Sequence, residues 1–185
     1  MECIILDEQL DYDGSQISSL WAYNLVDIQN DSIIAFRGAC DVKLEHMIDL
    51  EDKKQGDVIF STDMLHFIIE HFDSTDLKLV YARQRLFTAI VLEVLSSYFS
   101  GIRRSGDDLF INDKKLTISI ASTSAVSQKI HFAINVVHDF YGDLTEMGIF
   151  GYMINDVLCE IAESYFAEFT DIENDLRKSR PLDVV

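Results

Sequence analysis

The residues best placed by type and spacing to do chemistry lie in one short stretch, Arg103 to Leu116, which reads RRSGDDLFINDKKL. It holds four of the chain's 15 basic residues, Arg103, Arg104, Lys114 and Lys115, in a protein of formal net charge −17. Asn112-Asp113 near its end tolerate the positive φ that a two-residue hairpin turn requires. Folded about that turn, Ile111 faces Lys114, Phe110 faces Lys115, Leu109 faces Leu116 and Asp108 faces Thr117, and directly opposed side chains share a face. One face then carries Leu109, Ile111, Leu116, Ile118 and Ile120; the other carries Asp108, Phe110, Lys115, Thr117 and Ser119. Asp108 and Lys115 become diagonal neighbours, roughly 7–8 Å apart at the backbone. A carboxylate that orients an ammonium on a polar strand face makes an anion-binding group. The same pattern is also that of an exposed hairpin with solvated charges, where an ion pair contributes about 0–1 kcal/mol. Arg83 and Arg85 bring the bunched cations to six of the 15, enough to draw a small anionic ligand to one place on an acidic molecule.

These residues need elements to position them. The segment DSIIAFRG (31–38) reads as a short buried strand closed by glycine. Residues 41–57 are charged and non-periodic, a surface excursion. STDMLHFIIEHF (61–72) opens on Ser, Thr and Asp and continues with helix-type spacing, which predicts a helix. RQRLFTAIVLEVLSSYFSG (83–101) predicts a longer helix with a glycine stop at Gly101. MINDVLCEIAESYFAEF (153–169) aligns Ile154, Val157, Leu158, Ile161, Tyr165 and Phe169 on one stripe of an amphipathic helix. In KIHFAINVV (129–137), Ile130, Phe132, Ile134 and Val136 alternate with His131, Ala133 and Asn135, and LTISIAS (116–122) alternates similarly; both predict strands. The hairpin and the 130–137 strand are expected in the same sheet. Helices and strands interleave without a βαβ rhythm, so the fold class is α+β, with helices packed on a largely antiparallel, mixed sheet.

Composition sets the limits. With 185 residues, 48% of them hydrophobic, one proline and no linker or repeat, the expectation is a single domain, 1–185, whose last residues, RKSRPLDVV, fray. A pI near 4.4 opposes phosphate-backbone binding and adsorption to anionic membranes, so neither nucleic acid nor membrane is an expected partner. No apolar run is long enough to span a bilayer, and the start, MECIILDEQ, lacks a signal-peptide pattern, which makes a cytoplasmic protein the expectation. Cys3, Cys40 and Cys159 form no CxxC pair. They read as buried apolar residues, with Cys40 as a remote nucleophile candidate. Five histidines offer no HxxxH or HExxH spacing, so no metal is expected. DYDGSQISSL (11–20) reads as a turn followed by a helix capped by Ser15, and the Ser/Thr-rich 119–129 segment as a connection.

At its cationic hairpin the sequence resembles the catalytic domain of biotin and lipoate protein ligases, a class II synthetase-like fold. RSGDDLFINDKKLTIS follows that family's first motif without a gap, and AINV (133–136) follows its later strand. The resemblance covers 85–140 best, and elsewhere only element order. It implies an acyl-adenylate site built from ATP or AMP, in which Lys115 binds carboxylate and phosphate oxygens and Asp108 orients it. Arg103 or Arg104 would contact phosphate, with Thr117, Ser119 and Asn135 at the ligand. The family's glycine- and arginine-rich loop is absent. IAFRGACDV stands in its place and offers only Arg37 and Gly38 to the ligand. The lipoate-ligase RRxxGGG segment is missing, and Thr117-Ile118 replace Ala-Gly. DYDGSQISSLWAY and DMLHFIIEHFD also resemble a small, mostly archaeal family of uncharacterised proteins of this fold. Two functions stay open: binding, with acyl or cofactor transfer to an acceptor protein, or a non-catalytic binding or oligomerisation module, a homodimer included.

Overall fold

The computed structural model describes residues 1–56 and 58–182. Its elements in chain order are β1 (Glu2–Ile5), α1 (Trp21–Val26), β2 (Ser32–Asp41), α2 (Leu50–Gln55), β3 (Phe60–His71), α3 (Leu77–Tyr98), β4 (Ile102–Ser105), β5 (Asp108–Ile111), β6 (Lys114–Lys115), β7 (Thr117–Thr123), β8 (Gln128–Asn135) and α4 (Met153–Lys178). A five-stranded sheet runs β1-β2-β3-β8-β7 and a three-stranded one β4-β5-β6. Among the strand pairs of the described residues only β1–β2 is parallel, so the larger sheet is mixed and the pairing largely antiparallel within an α+β fold. No helix among the described residues is long and apolar enough to cross a membrane.

Residues 61–72 are not the expected helix but most of β3, the central strand of the larger sheet. Met64 to His71 are all buried. A strand covered on both faces shows a continuous apolar run that periodicity alone does not separate from a buried helix. The Ser-Thr-Asp start that suggested a cap serves another purpose, because both Asp63 oxygens accept from Arg37, at 2.8 and 2.6 Å.

The larger sheet buries two different faces. Ile33 and Ala35 of β2, Leu65, Phe67 and Ile69 of β3, and Ile130, Phe132 and Ile134 of β8 pack under α3 and α4. The intervening Ile34, Phe36, Met64, Ile68 and Ala133 pack under the N-terminal segment, against Tyr12, Ala22 and Ile28. Asp76 starts α3 by accepting from the Leu79 amide at 2.7 Å, a side-chain N-cap. α4 begins at Met153 and runs past Phe169 to Lys178, with Arg177 and Lys178 complementing the helix dipole in its last turn. Two of the residues expected to fray are therefore helical, and 183–185 lie outside the described residues. The 41–57 excursion contains α2 and is mostly exposed, with Asp57 likewise outside.

The hairpin has the expected register, Phe110 opposite Lys115 and Ile111 opposite Lys114, over a turn with Asn112 at φ 49° and Asp113 at φ 62°. It does not, however, continue in the same sheet. At the fully buried Leu116 the chain leaves the small sheet, and β7 pairs with β8 in the large one. The change of sheet reverses the faces: Thr117 and Ala121 are buried, whereas Ile118 and Ile120 turn away from Leu109 and Ile111 to line the other side.

Candidate functional site

A cleft of about 430 Å3 opens where the β6–β7 junction meets β3 and the 58–60 segment. Ile59, Met64 and Ile118 give it apolar walls, Thr117 and Asn135 border it, and among the described residues Lys115 is the one charged side chain on its lining. Lys115 Nζ lies 3.0 Å from Asp108 Oδ1, with the two side chains 40% and 27% exposed. The pair is too open to contribute much stability, but it fixes the direction of the ammonium. The cleft thus combines apolar walls with one oriented cation, which suits an amphipathic anion with a carboxylate or phosphate end.

Of the nine residues expected at a site, Lys115, Thr117, Ser119 and Asn135 line this cleft and Asp108 touches its lysine. Their hydroxyl and amide groups are already engaged. The Thr117 hydroxyl accepts from the Leu109 amide at 3.0 Å. Ser119 Oγ accepts from Gln84 at 2.7 Å and donates to the His131 carbonyl at 3.3 Å. Asn135 donates its side-chain amide to the Gly142 carbonyl at 3.2 Å, and the Gly142 amide donates to the Lys115 carbonyl at 3.0 Å. Asn135 therefore ties the 136–143 loop, which carries Tyr141 of the cleft rim, to the end of the hairpin.

Four expected contributors stand apart from the cleft lining. Arg37 follows the β2 alternation onto the helix-side face, where Asp63 holds it. Gly38 serves close packing: a methyl placed there would run into the Leu10 carbonyl, and the neighbouring Ala39 amide donates to Asp11 at 3.0 Å. Arg103 stacks its guanidinium over Phe110 at 4.5 Å. Arg104 donates to the carbonyls of Arg85 and Gly106, both at 3.4 Å. The six-cation cluster is therefore not one positive patch. Arg83 pairs with Asp73, Arg85 with Asp107, Lys114 with Glu146 and Lys115 with Asp108.

Two strand histidines missed as a pair meet beside the cleft. His66 on β3 and His131 on β8 are both buried, their Nδ1 and Nε2 atoms 3.1 Å apart. His66 Nε2 lies 3.3 Å from the Gly38 carbonyl. Tyr12 stacks on His131 with centroids 3.6 Å apart. Burial brings the His66 pKa down to about 4 and holds that of His131 well below its ordinary value. His131 was legible on the Ala133–Asn135 face, but its partner lay in a segment that read as a helix. Cys40 also borders the cleft, and burial followed by the Asp41 charge pushes its thiol up to about 12. A thiol so far from ionised is not an activated nucleophile. Ser15 does not cap a helix through its side chain; Gly14, at φ 93°, precedes a short 3-10 turn there.

Outside the cleft, one oxygen or nitrogen each of Asp31, His71 and Asp73 lie within 4.8 Å of one another. His71 spends its ring nitrogens on Asp31 and the Tyr165 hydroxyl, and Asp73 is held by Arg83. Those contacts account for the cluster as a structural one.

Among proteins of known sequence, an uncharacterized protein of Methanocaldococcus jannaschii is 44% identical over 189 residues, spanning 98% of this chain and 86% of its own. A solved protein of unknown function from Pyrococcus horikoshi superposes with a TM-score of 0.90 at 37% identity, 98% of each chain being covered. The biotin protein ligase of Aquifex aeolicus gives a TM-score of 0.58 at 12% identity, covering 94% of this chain and 71% of the ligase. A candidate lipoate protein ligase of T. acidophilum, with bound lipoic acid, gives 0.58 at 15%, covering 89% and 85%. At those identities the likeness to the ligases is one of fold. The model of the family described as a domain of unknown function (DUF366) matches residues 1–180, so the chain belongs to that family and has the fold of the biotin and lipoate protein ligases.

Proposed function

We propose that the cleft binds a small amphipathic carboxylate, or the acyl-adenylate derived from it, and presents it for transfer to an acceptor protein. The observation that carries this reading is Lys115: an ammonium oriented by Asp108, the one charged side chain among the described residues of the cleft lining, facing a cleft with apolar walls at Ile59, Met64 and Ile118. An apolar chain would lie along Ile59, Met64 and Ile118 while its anionic end met Lys115. The fold shared with ligases of biotin and lipoate is consistent with such a ligand, and makes ATP or AMP the nucleotide to test.

A second reading is favoured by a specific feature. Gly38 is filled by Leu10 and Arg37 is locked by Asp63, so the segment in the place of the ligases' glycine- and arginine-rich loop is committed to packing. On that reading the protein binds its ligand without activating it. Calorimetric titration with lipoate, biotin and octanoate, each with and without ATP and magnesium, separates the two. Carboxylate binding enhanced by ATP, with pyrophosphate released, supports the transferase; carboxylate binding indifferent to ATP supports the binding module. Absence of saturable binding by all three carboxylates would refute both.

A further inference from the structure

Thr117, Ser119 and Asn135 on the cleft lining already have partners in the protein, and Lys115 is shared with Asp108. Tyr141 differs. It lines the same cleft, and among the described residues nothing takes its hydroxyl.

The loop that carries Tyr141 is tied down at both ends and in the middle. At its start the Val136 amide donates to the Asp63 carbonyl at 3.0 Å. At its end Gly142 lies so close to the hairpin that a methyl there would run into the Ile111 side chain and the Lys114 carbonyl. Its amide donates to the Lys115 carbonyl at 3.0 Å, and its own carbonyl accepts from Asn135 at 3.2 Å. Between the ends, His138 Nδ1 accepts from the amides of Phe140 and Tyr141 at 3.1 and 3.3 Å. An amide only donates, so that nitrogen is unprotonated in this arrangement. The His138 ring also lies against the Tyr141 ring, with centroids 4.8 Å apart, and the His138 amide donates to Asp143 at 3.0 Å. Tyr141 is thus one residue from a backbone hydrogen bond to Lys115 itself. Two side chains of one cleft are placed relative to each other by hydrogen bonds and close packing, which is how a binding constellation is kept in register.

We propose that Tyr141 is a second anion-binding residue of the cleft: its hydroxyl donates to one oxygen of the ligand's carboxylate or phosphate end while Lys115 meets another. His138, which holds the tyrosine's backbone, is its positioning residue. This rests on the carboxylate reading above and adds a specificity to it. An ammonium is a point charge with three rotatable donors, whereas one O–H on an anchored ring selects how the anionic group is turned. The pair favours an anion that carries two oxygens on one atom. A hydroxyl bond to an anion is short and charge-assisted, so it outlasts salt that screens longer-range attraction.

The test is calorimetry on the full chain with octanoate as the probe. Tyr141→Phe keeps the ring and removes the hydroxyl. It should weaken octanoate binding at least about fivefold, or about 1 kcal/mol, at both about 0.1 M and 1 M salt. His138→Phe keeps an aromatic ring and removes the acceptor, and it should weaken binding as well. Combined with Tyr141→Phe it should cost little more than Tyr141→Phe alone, as for residues that act through one another. Additive losses would overturn the positioning role of His138. Octanoate binding unchanged by Tyr141→Phe would overturn the proposal, including the case in which Tyr141→Ala weakens it and the ring is only an apolar wall. Should His138→Phe disturb the loop, Tyr141→Phe, at a half-exposed side chain, decides alone. Binding that needs Lys115 but not the Tyr141 hydroxyl overturns this proposal only, whereas no octanoate binding by the unaltered protein overturns it together with the carboxylate reading.

Discussion

Lys115→Ala is the substitution that most directly tests the carboxylate site. Two unit charges 4 Å apart interact by about 4 kcal/mol at an effective dielectric near 20 and about 1 kcal/mol in water. The Lys115 side chain is 40% exposed and already shared with Asp108 at 3.0 Å, so its contribution belongs toward the lower end of that range. An expected loss of at least about tenfold in carboxylate affinity corresponds to about 1.4 kcal/mol. Stability should change by less than about 1 kcal/mol, as for other exposed pairs. Lys114 is the internal control: same charge, adjacent in sequence, on the other hairpin face and bound to Glu146 at 2.8 Å. Lys114→Ala should cost clearly less affinity. Calorimetry at about 0.1 M and 1 M salt adds a second discriminator, because the screening length falls from about 10 to 3 Å. A positioned donor keeps its advantage over Lys114 at both. Equal losses for the two variants, or none for Lys115→Ala, would refute the site.

Three further outcomes follow from the packing. Lys129 and Glu70 form an ion pair 3.1 Å long whose side chains are 2% and 1% exposed. Lys129→Met should strand the carboxylate and cost about 3–5 kcal/mol; urea unfolding that shows under 1 kcal/mol would contradict this. Gly38→Ala drives a methyl against the Leu10 carbonyl and should cost about 1–3 kcal/mol, with an unaltered unfolding midpoint as the contrary result. His66 and His131 have folded pKa values below their unfolded ones, so the unfolded chain binds more protons below about pH 6.5. Their stabilisation is complete above that pH and is lost on acidification toward pH 4, at up to about 1.4 kcal/mol per pH unit for each ring. Urea midpoints that stay level between pH 6.5 and 4.5 would refute neutral, buried histidines.

Much of this arrangement can be read from local pattern, and the failures share one origin. The hairpin register depends on two turn residues and four neighbours, and α3 and α4 on stripes of one helix each, so all are legible without partners. β3 is not, because the cause of its uniform burial is cover on both faces by elements distant in the chain. Misplacing it hides His66, and with it the histidine pair. The change of sheet at Leu116 is illegible for a related reason: alternation records which side is apolar, but not which sheet supplies the partner. Arg37 and Gly38 looked available because nothing near them in sequence announces Asp63 or Leu10.

The jump between sheets at Leu116 has a further consequence for how such a site diversifies. The charge at the cleft is delivered by the small β4–β6 sheet, while its shape is set by β3, β7 and the segment before β3. Exchanges at 108, 110 or 115 can alter the sign or reach of the charged group without repacking Met64 or Ile118. Exchanges on the floor can resize the cavity without moving the ammonium. Chemistry and fit are thereby inherited through separate strands, and a lineage on this scaffold is free to change what it holds by one route while keeping the other.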